Sequence, residues 1–247
     1  MILAFIRTGT AISLMPFFGY MAVPPQVKIA LSFVLAVVLA PTAAMSIPAT
    51  MTGVLPIAAA AVSEAIVGLA IGATTLLILM SADFAGTLIG LQMGFSSVTL
   101  FDPQAGEEVS IIGRLESMLA LIIFISLDGH HMLLNALGGS FSSIPLGGGV
   151  FTGQSALLFG RLTAEVFVIA VKLAAPVLAI LLLTEIAMGF VSRAMPQMNV
   201  FADSFPLKIG IGLISMAVTW PLFVYVLSKS FNLYGKSLTQ LIGMMGP

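Results

Sequence analysis

Residues 54–82 read VLPIAAAAVSEAIVGLAIGATTLLILMSA, and this stretch decides the fold class. Its one formal charge is Glu64, the first charge after Lys28. The run exceeds the roughly 20 apolar residues that a helix needs to cross a bilayer. The same composition holds along the chain. Of 247 residues, 8% are Asp, Glu, Lys or Arg, 59% are hydrophobic, and the mean hydropathy is +1.15. A soluble domain carries roughly a quarter charged residues, so hydrocarbon or a large protein complex has to cover most of this surface. A net charge of −1 supplies no basic field for nucleic acid. With no Cys there is no disulfide framework, thiolate metal site or Cys nucleophile.

Working outward, six apolar segments stand at about 2–22, 28–46, 54–82, 115–138, 162–190 and 206–229. They predict an all-α membrane protein, a single domain over 1–247 made of one bundle of partly interrupted membrane-type helices. The first segment carries Arg7 and lacks a small-residue cleavage site, so it reads as a retained helix. Val23-Pro24-Pro25-Gln26 breaks the first segment from the second. The third runs on past Asp83 toward Ser97, with Gly86, Gly90 and Gly94 on one helix face. Small residues every four positions let a neighbouring backbone approach closely; a moving hinge is the alternative. Residues 98–114 are the densest polar run and read as a loop. Asp128-Gly129-His130-His131 interrupts the fourth segment, a break tolerated only where protein or water satisfies the freed backbone. Six spans would place Lys28, Arg114, Arg193 and Lys208 on one side and Arg7, Arg161, Lys229 and Lys236 on the other. The Lys/Arg bias that fixes topology is absent, which points to segments that are not all conventional spans.

Ionisable groups inside apolar segments are functional candidates. Glu165 and Lys172, seven residues apart, share a helix face and suit an ion pair facing other helices, or a proton or substrate relay. Asp128, His130 and His131 have no evident further ligand nearby, so the reading is a capped helix break and no metal site. H-E-x-x-H, G-x-S-x-G and P-loop motifs are absent, and the chain reads as non-enzymatic, with no cofactor.

Further strings carry a resemblance. They are Arg7, Pro16-Phe17-Phe18-Gly19, Val23-Pro24 and Lys28; Glu64 to Gly68; Gln92-Met93-Gly94; and Phe101-Asp102-Pro103. Asp128-Gly129-His130-His131, Ser140-Phe141 and Ile144-Pro145-Leu146-Gly147 follow. The most specific are Pro196-Gln197-Met198-Asn199-Val200-Phe201 and Phe205-Pro206-Leu207-Lys208. Over nearly its whole length the chain resembles the FliR/SctT family of type III secretion export-gate proteins, and its flagellar branch over the virulence branch. It departs at Asp203 and Ser204, where an apolar residue and a Gly are expected, and the family pattern begins upstream of Met1.

The resemblance implies a non-enzymatic subunit of the flagellar export gate in the bacterial inner membrane, at the basal body. Its partners would be FliP, FliQ and FlhB, in a hetero-oligomer around a path for unfolded export substrates, its helices folded as kinked, partly interrupted helical hairpins. It also implies roles by position. A plug loop would include Asp102, Pro103, Glu107, Glu108, Ile111 and Ile112. Glu165 and Lys172 would form ion pairs within the complex, and Gly86, Gly90 and Gly94 would pack helices. Pro196, Gln197, Asn199, Phe201, Pro206 and Lys208 would form an inter-subunit loop. The alternative is an ion-coupled secondary transporter of a small solute, with Glu165, Lys172 and Asp128 in an ion path; no internal repeat of the transporter kind is evident. An intramembrane enzyme is the third reading.

Overall fold

Proline and serine set where the helices begin. Pro25 opens a helix because a first-turn residue needs no intrahelical N–H bond. Ser110 opens another, its hydroxyl accepting the Gly113 N–H at 3.0 Å as an N-cap. In the computed structural model, residues 1–16, 23–43, 53–95, 110–195 and 200–246 are described. Among them the chain is all-α, with seven helices and no strand. These are α1 (Ile2–Leu14), α2 (Pro25–Ala43), α3 (Val54–Met93), α4 (Ile111–Ser126), α5 (Gly129–Ser143), α6 (Gly153–Ala194) and α7 (Val200–Met245).

Three helices are long and apolar enough to cross a membrane: Val54–Met93, Gly153–Ala194 and Ser204–Met245. At ~1.5 Å per residue each is ~60 Å or more in length, twice the ~30 Å hydrocarbon core. The apolar segments therefore cover only parts of longer helices: the middles of α6 and α7, and α3 without its last turns. The fourth segment divides at Asp128, which takes a left-handed conformation (φ 54°). Gly129 follows because a Cβ there would collide with the Phe124 ring.

Several placements differ from the sequence reading. Ile111 and Ile112 are not loop residues but the first turn of α4, which the Ser110 cap starts earlier than hydropathy suggests. Phe201, Pro206 and Lys208 are likewise on α7, not in a loop. Proline removes one backbone N–H bond from a helix without always ending it, and α7 runs through both Pro206 and Pro221. Gly94 ends α3. Its φ is +92°, and the Gly94 and Phe95 N–H groups bond back to the Leu91 and Gly90 carbonyls at 3.1 and 3.0 Å, a Schellman closure. Asp102, Pro103, Glu107, Glu108, Pro196, Gln197 and Asn199 lie outside the described residues.

The chain groups into two compact units, each discontinuous in sequence: Met1–Ile78 with Phe124–Glu165 and Ser230–Pro247, and Leu79–Ile123 with Val166–Lys229. In the first, Gly72 lies against α1, where a Cβ would meet the Ala11 carbonyl oxygen at 2.7 Å. In the second, Gly86 lies against the start of α4, where a Cβ would meet the Ile112 carbonyl oxygen at 2.6 Å. One helix, α3, thus uses small residues for close packing in both units.

Candidate functional site

The inward stripe of α1 is Ala4, Arg7, Thr8, Ala11 and Ile12, at the spacing of one helix face. Arg7 is therefore carried into the interior of the first unit and is fully buried, as is Glu64 of α3. The guanidinium meets the carboxylate in a bidentate fork, Nε donating to Oε2 at 2.6 Å and Nη2 to Oε1 at 2.9 Å. Nη1 also donates to the Ser140 carbonyl at 2.9 Å, and both Nη groups donate to the Ile144 carbonyl at 3.3 Å. The Gly147 N–H donates to Glu64 Oε1 at 2.7 Å. Phe141 covers the guanidinium, its ring centre 4.5 Å from Cζ. The cluster joins α1, α3, the end of α5 and the turn after it. With each group engaged, its chemistry is that of a structural clamp.

In the second unit, Glu185 of α6 accepts from Gln92 of α3 at 2.8 Å and from Lys208 of α7 at 3.2 Å. Glu165 and Lys172 form no ion pair with one another. Glu165 is half-buried, and Lys172 is exposed.

Also in the second unit, Glu116 sits on the buried stripe of α4 with Ile112, Ala120 and Ile123. It lines a cavity of about 440 Å³. Glu116 is 5% exposed, and its Oε2 has no hydrogen-bond partner. Burial pushes its carboxyl from the ordinary 4.5 up to about 8. α4 is not among the three helices long enough to span a membrane.

At the α4–α5 break, ligand atoms of Asp128, His130 and His131 lie within 4.8 Å of one another. Asp128 and His131 are mostly exposed and 3.3 Å apart. Such an arrangement is common on surfaces without an ion.

Sequence reasoning marked Arg7 and Glu64 singly and missed their pairing. The signal was there: two opposite charges in apolar segments each need a partner. Glu116 was missed as well, though its spacing from Ile112 and Ala120 places it on an apolar face.

A family model described as bacterial export proteins, family 1, matches residues 1–234. A flagellar biosynthetic protein FliR of Bacillus subtilis (strain 168) is 32% identical over 249 residues, covering 99% of this chain and 95% of its own length. The protein of that name from Escherichia coli (strain K12) is 31% identical over 242 residues, covering 96% and 91%. That from Pectobacterium carotovorum subsp. carotovorum is 29% identical over 243 residues, covering 96% and 92%.

Removing one member of a buried ion pair strands the other at a cost of about 3–5 kcal/mol. Arg7→Met or Glu64→Leu alone is expected to lose that much in thermal melts of the detergent-extracted chain, and the double change to recover a large part of it. Glu116 gives a pH dependence. Between pH 4.5 and 8 its carboxyl holds its proton in the folded chain and has lost it in the unfolded one. The stability it contributes is full below pH 4.5 and lost as pH rises through about 8. The melting temperature should fall over that range, and Glu116→Gln should flatten the fall.

Proposed function

The chain belongs to family 1 of the bacterial export proteins, and from that membership we propose that it is a non-enzymatic subunit of the flagellar type III protein export gate. It joins FliP and FliQ, with FlhB associated, in the bacterial inner membrane at the flagellar basal body. There it helps form a gated channel for unfolded export substrates, and the run from Asp102 to Gly113, whose last three residues open α4, is the candidate segment for closing it. The flagellar naming of the relatives supports the branch.

One observation carries the need for partners. On α6, large apolar side chains are exposed from Leu157 to Phe190, both at 66%. These residues are ~50 Å apart along the helix at ~1.5 Å per residue. A tilt above ~50° would be needed to fit that length within a ~30 Å core, outside the roughly 0–40° found for membrane helices. On α3 the exposed apolar positions run from Val54 to Leu91, longer still. Lipid therefore covers part of this surface and protein the rest. A subunit packed among sister helices meets that demand, and the exposed Lys172 and half-buried Glu165 are then available to pair across subunit contacts.

Extraction of the tagged chain in mild detergent, from cells expressing it at native level, tests the reading. FliP and FliQ are expected to co-purify in a stable complex. A chain recovered alone under these conditions would contradict the proposal and favour the solute-transporter alternative.

A further inference from the structure

The cavity beside Glu116 sets two requirements for whatever fills it. Its walls are mostly apolar, with Leu173 and Val177 of α6 and Leu213 and Met216 of α7 among them. Besides Glu116, polar atoms in the lining belong to Thr219, whose hydroxyl donates to the Ser215 carbonyl at 2.8 Å, and to the indole of Trp220. At the wall, Glu116 Oε2 is buried and unpartnered. Among the described residues Glu116 is the one titratable group lining the cavity. A buried carboxyl oxygen without a donor is costly, and an ionised carboxylate in apolar surroundings is stabilised by a hydrogen-bonded cation. The occupant therefore has an apolar body and one positive donor.

The chain does not supply that donor from its undescribed segments. Residues 17–22, 44–52, 96–109 and 196–199 contain no Lys, Arg or His. Within the same unit Lys208 is engaged by Glu185, while Arg114, Lys172, Arg193 and Lys229 are exposed and do not line the cavity; Arg114 stands two positions from Glu116, where side chains on a helix do not share a face. In the lining itself, Leu115 of α4 and Leu213 and Trp220 of α7 are exposed by 37–47%. An apolar rim of this kind suits a helix.

We propose that this cavity is a docking site for an apolar helix of a partner subunit, whose single lysine or arginine enters it and pairs with Glu116. The inference rests on the subunit reading above and adds the chemistry of one contact. The free chain carries Glu116 as the neutral acid at pH 7, since burial holds its proton up to about pH 8. Arrival of the cation ionises the carboxyl and releases that proton, so docking strengthens as pH rises from 6 toward 8.

A photo-crosslinking residue at Leu213, in the full tagged chain and its native cell, tests the site. The adduct peptide is sequenced from the extracted complex. Expected is a peptide from a co-purifying subunit, apolar and helical, with a Lys or Arg within one turn of the crosslinked position. Glu116→Gln, which keeps shape and removes charge, is expected to cut adduct yield about 30-fold, as befits loss of one partner of a buried charge pair, at an unchanged membrane level of the chain. Replacing the partner's cation with Met is expected to cut it as much, and the two changes together no further. An adduct peptide without Lys or Arg, a lipid-only adduct, or a yield indifferent to Glu116→Gln, in a complex that still assembles, would overturn the docking site and leave the subunit reading standing. No co-purifying subunit with the unsubstituted chain would overturn both.

Discussion

An arginine and a glutamate withdrawn from water govern the first unit. Each ion loses several kcal/mol of hydration on burial, and the loss is offset only when the fork closes and the remaining hydrogen bonds are made. That condition fixes the depth of Arg7 on α1 and the register of Glu64 on α3. It also fixes the end of α5. The guanidinium donates to the Ser140 carbonyl, which also accepts the Ile144 N–H, and to the Ile144 carbonyl, at the helix end where the macrodipole favours a cation. Gly147 N–H completes the carboxylate, so the turn after α5 is held by the same pair. Gly72 on α3 then lets α1 lie close enough for the fork to close.

Much of this was legible from local chemistry. Apolar length specified helices, prolines marked the entry to α2, and Asp128-Gly129 marked the break between α4 and α5. Helix ends were less legible. Segment 206–229 covers only the middle of α7, which continues past Lys229, Asn232 and Lys236 to Met245. Polar residues do not end a helix when one side of it remains packed, as Leu227, Phe231, Tyr234 and Leu238 are. Pro206 has the look of a breaker, but its effect depends on whether the helix tolerates one lost bond. The Arg7–Glu64 pairing spans 57 positions, and hydropathy carries no information about which buried charge meets which. Gln92, Glu185 and Lys208 come together for the same non-local reason.

The two units share a division of labour between polar and apolar surface. An ion pair stands in each: Arg7–Glu64, fully buried, in one, and Lys208–Glu185, with Glu185 half exposed, in the other. Glu116 is the exception, a buried carboxyl with an unpaired oxygen. The outer faces of α3 and α6 stay apolar along more length than a bilayer covers. Under the proposed subunit reading, the apolar surface and the unpaired acid have one explanation, since both would be contacts left open for neighbouring subunits.

The central claim is that protein, and not lipid alone, covers the apolar length of α6. With no native Cys, single cysteines at Leu157 and Phe190 report on it directly, because maleimide labelling needs a thiolate exposed to water. Cells are treated with a water-soluble, membrane-permeant maleimide, with and without the partner subunits. The account requires both positions to be protected in the complete assembly and at least one to label when the chain is expressed alone. Protection of both positions in the lone chain would show that lipid suffices, and would contradict it.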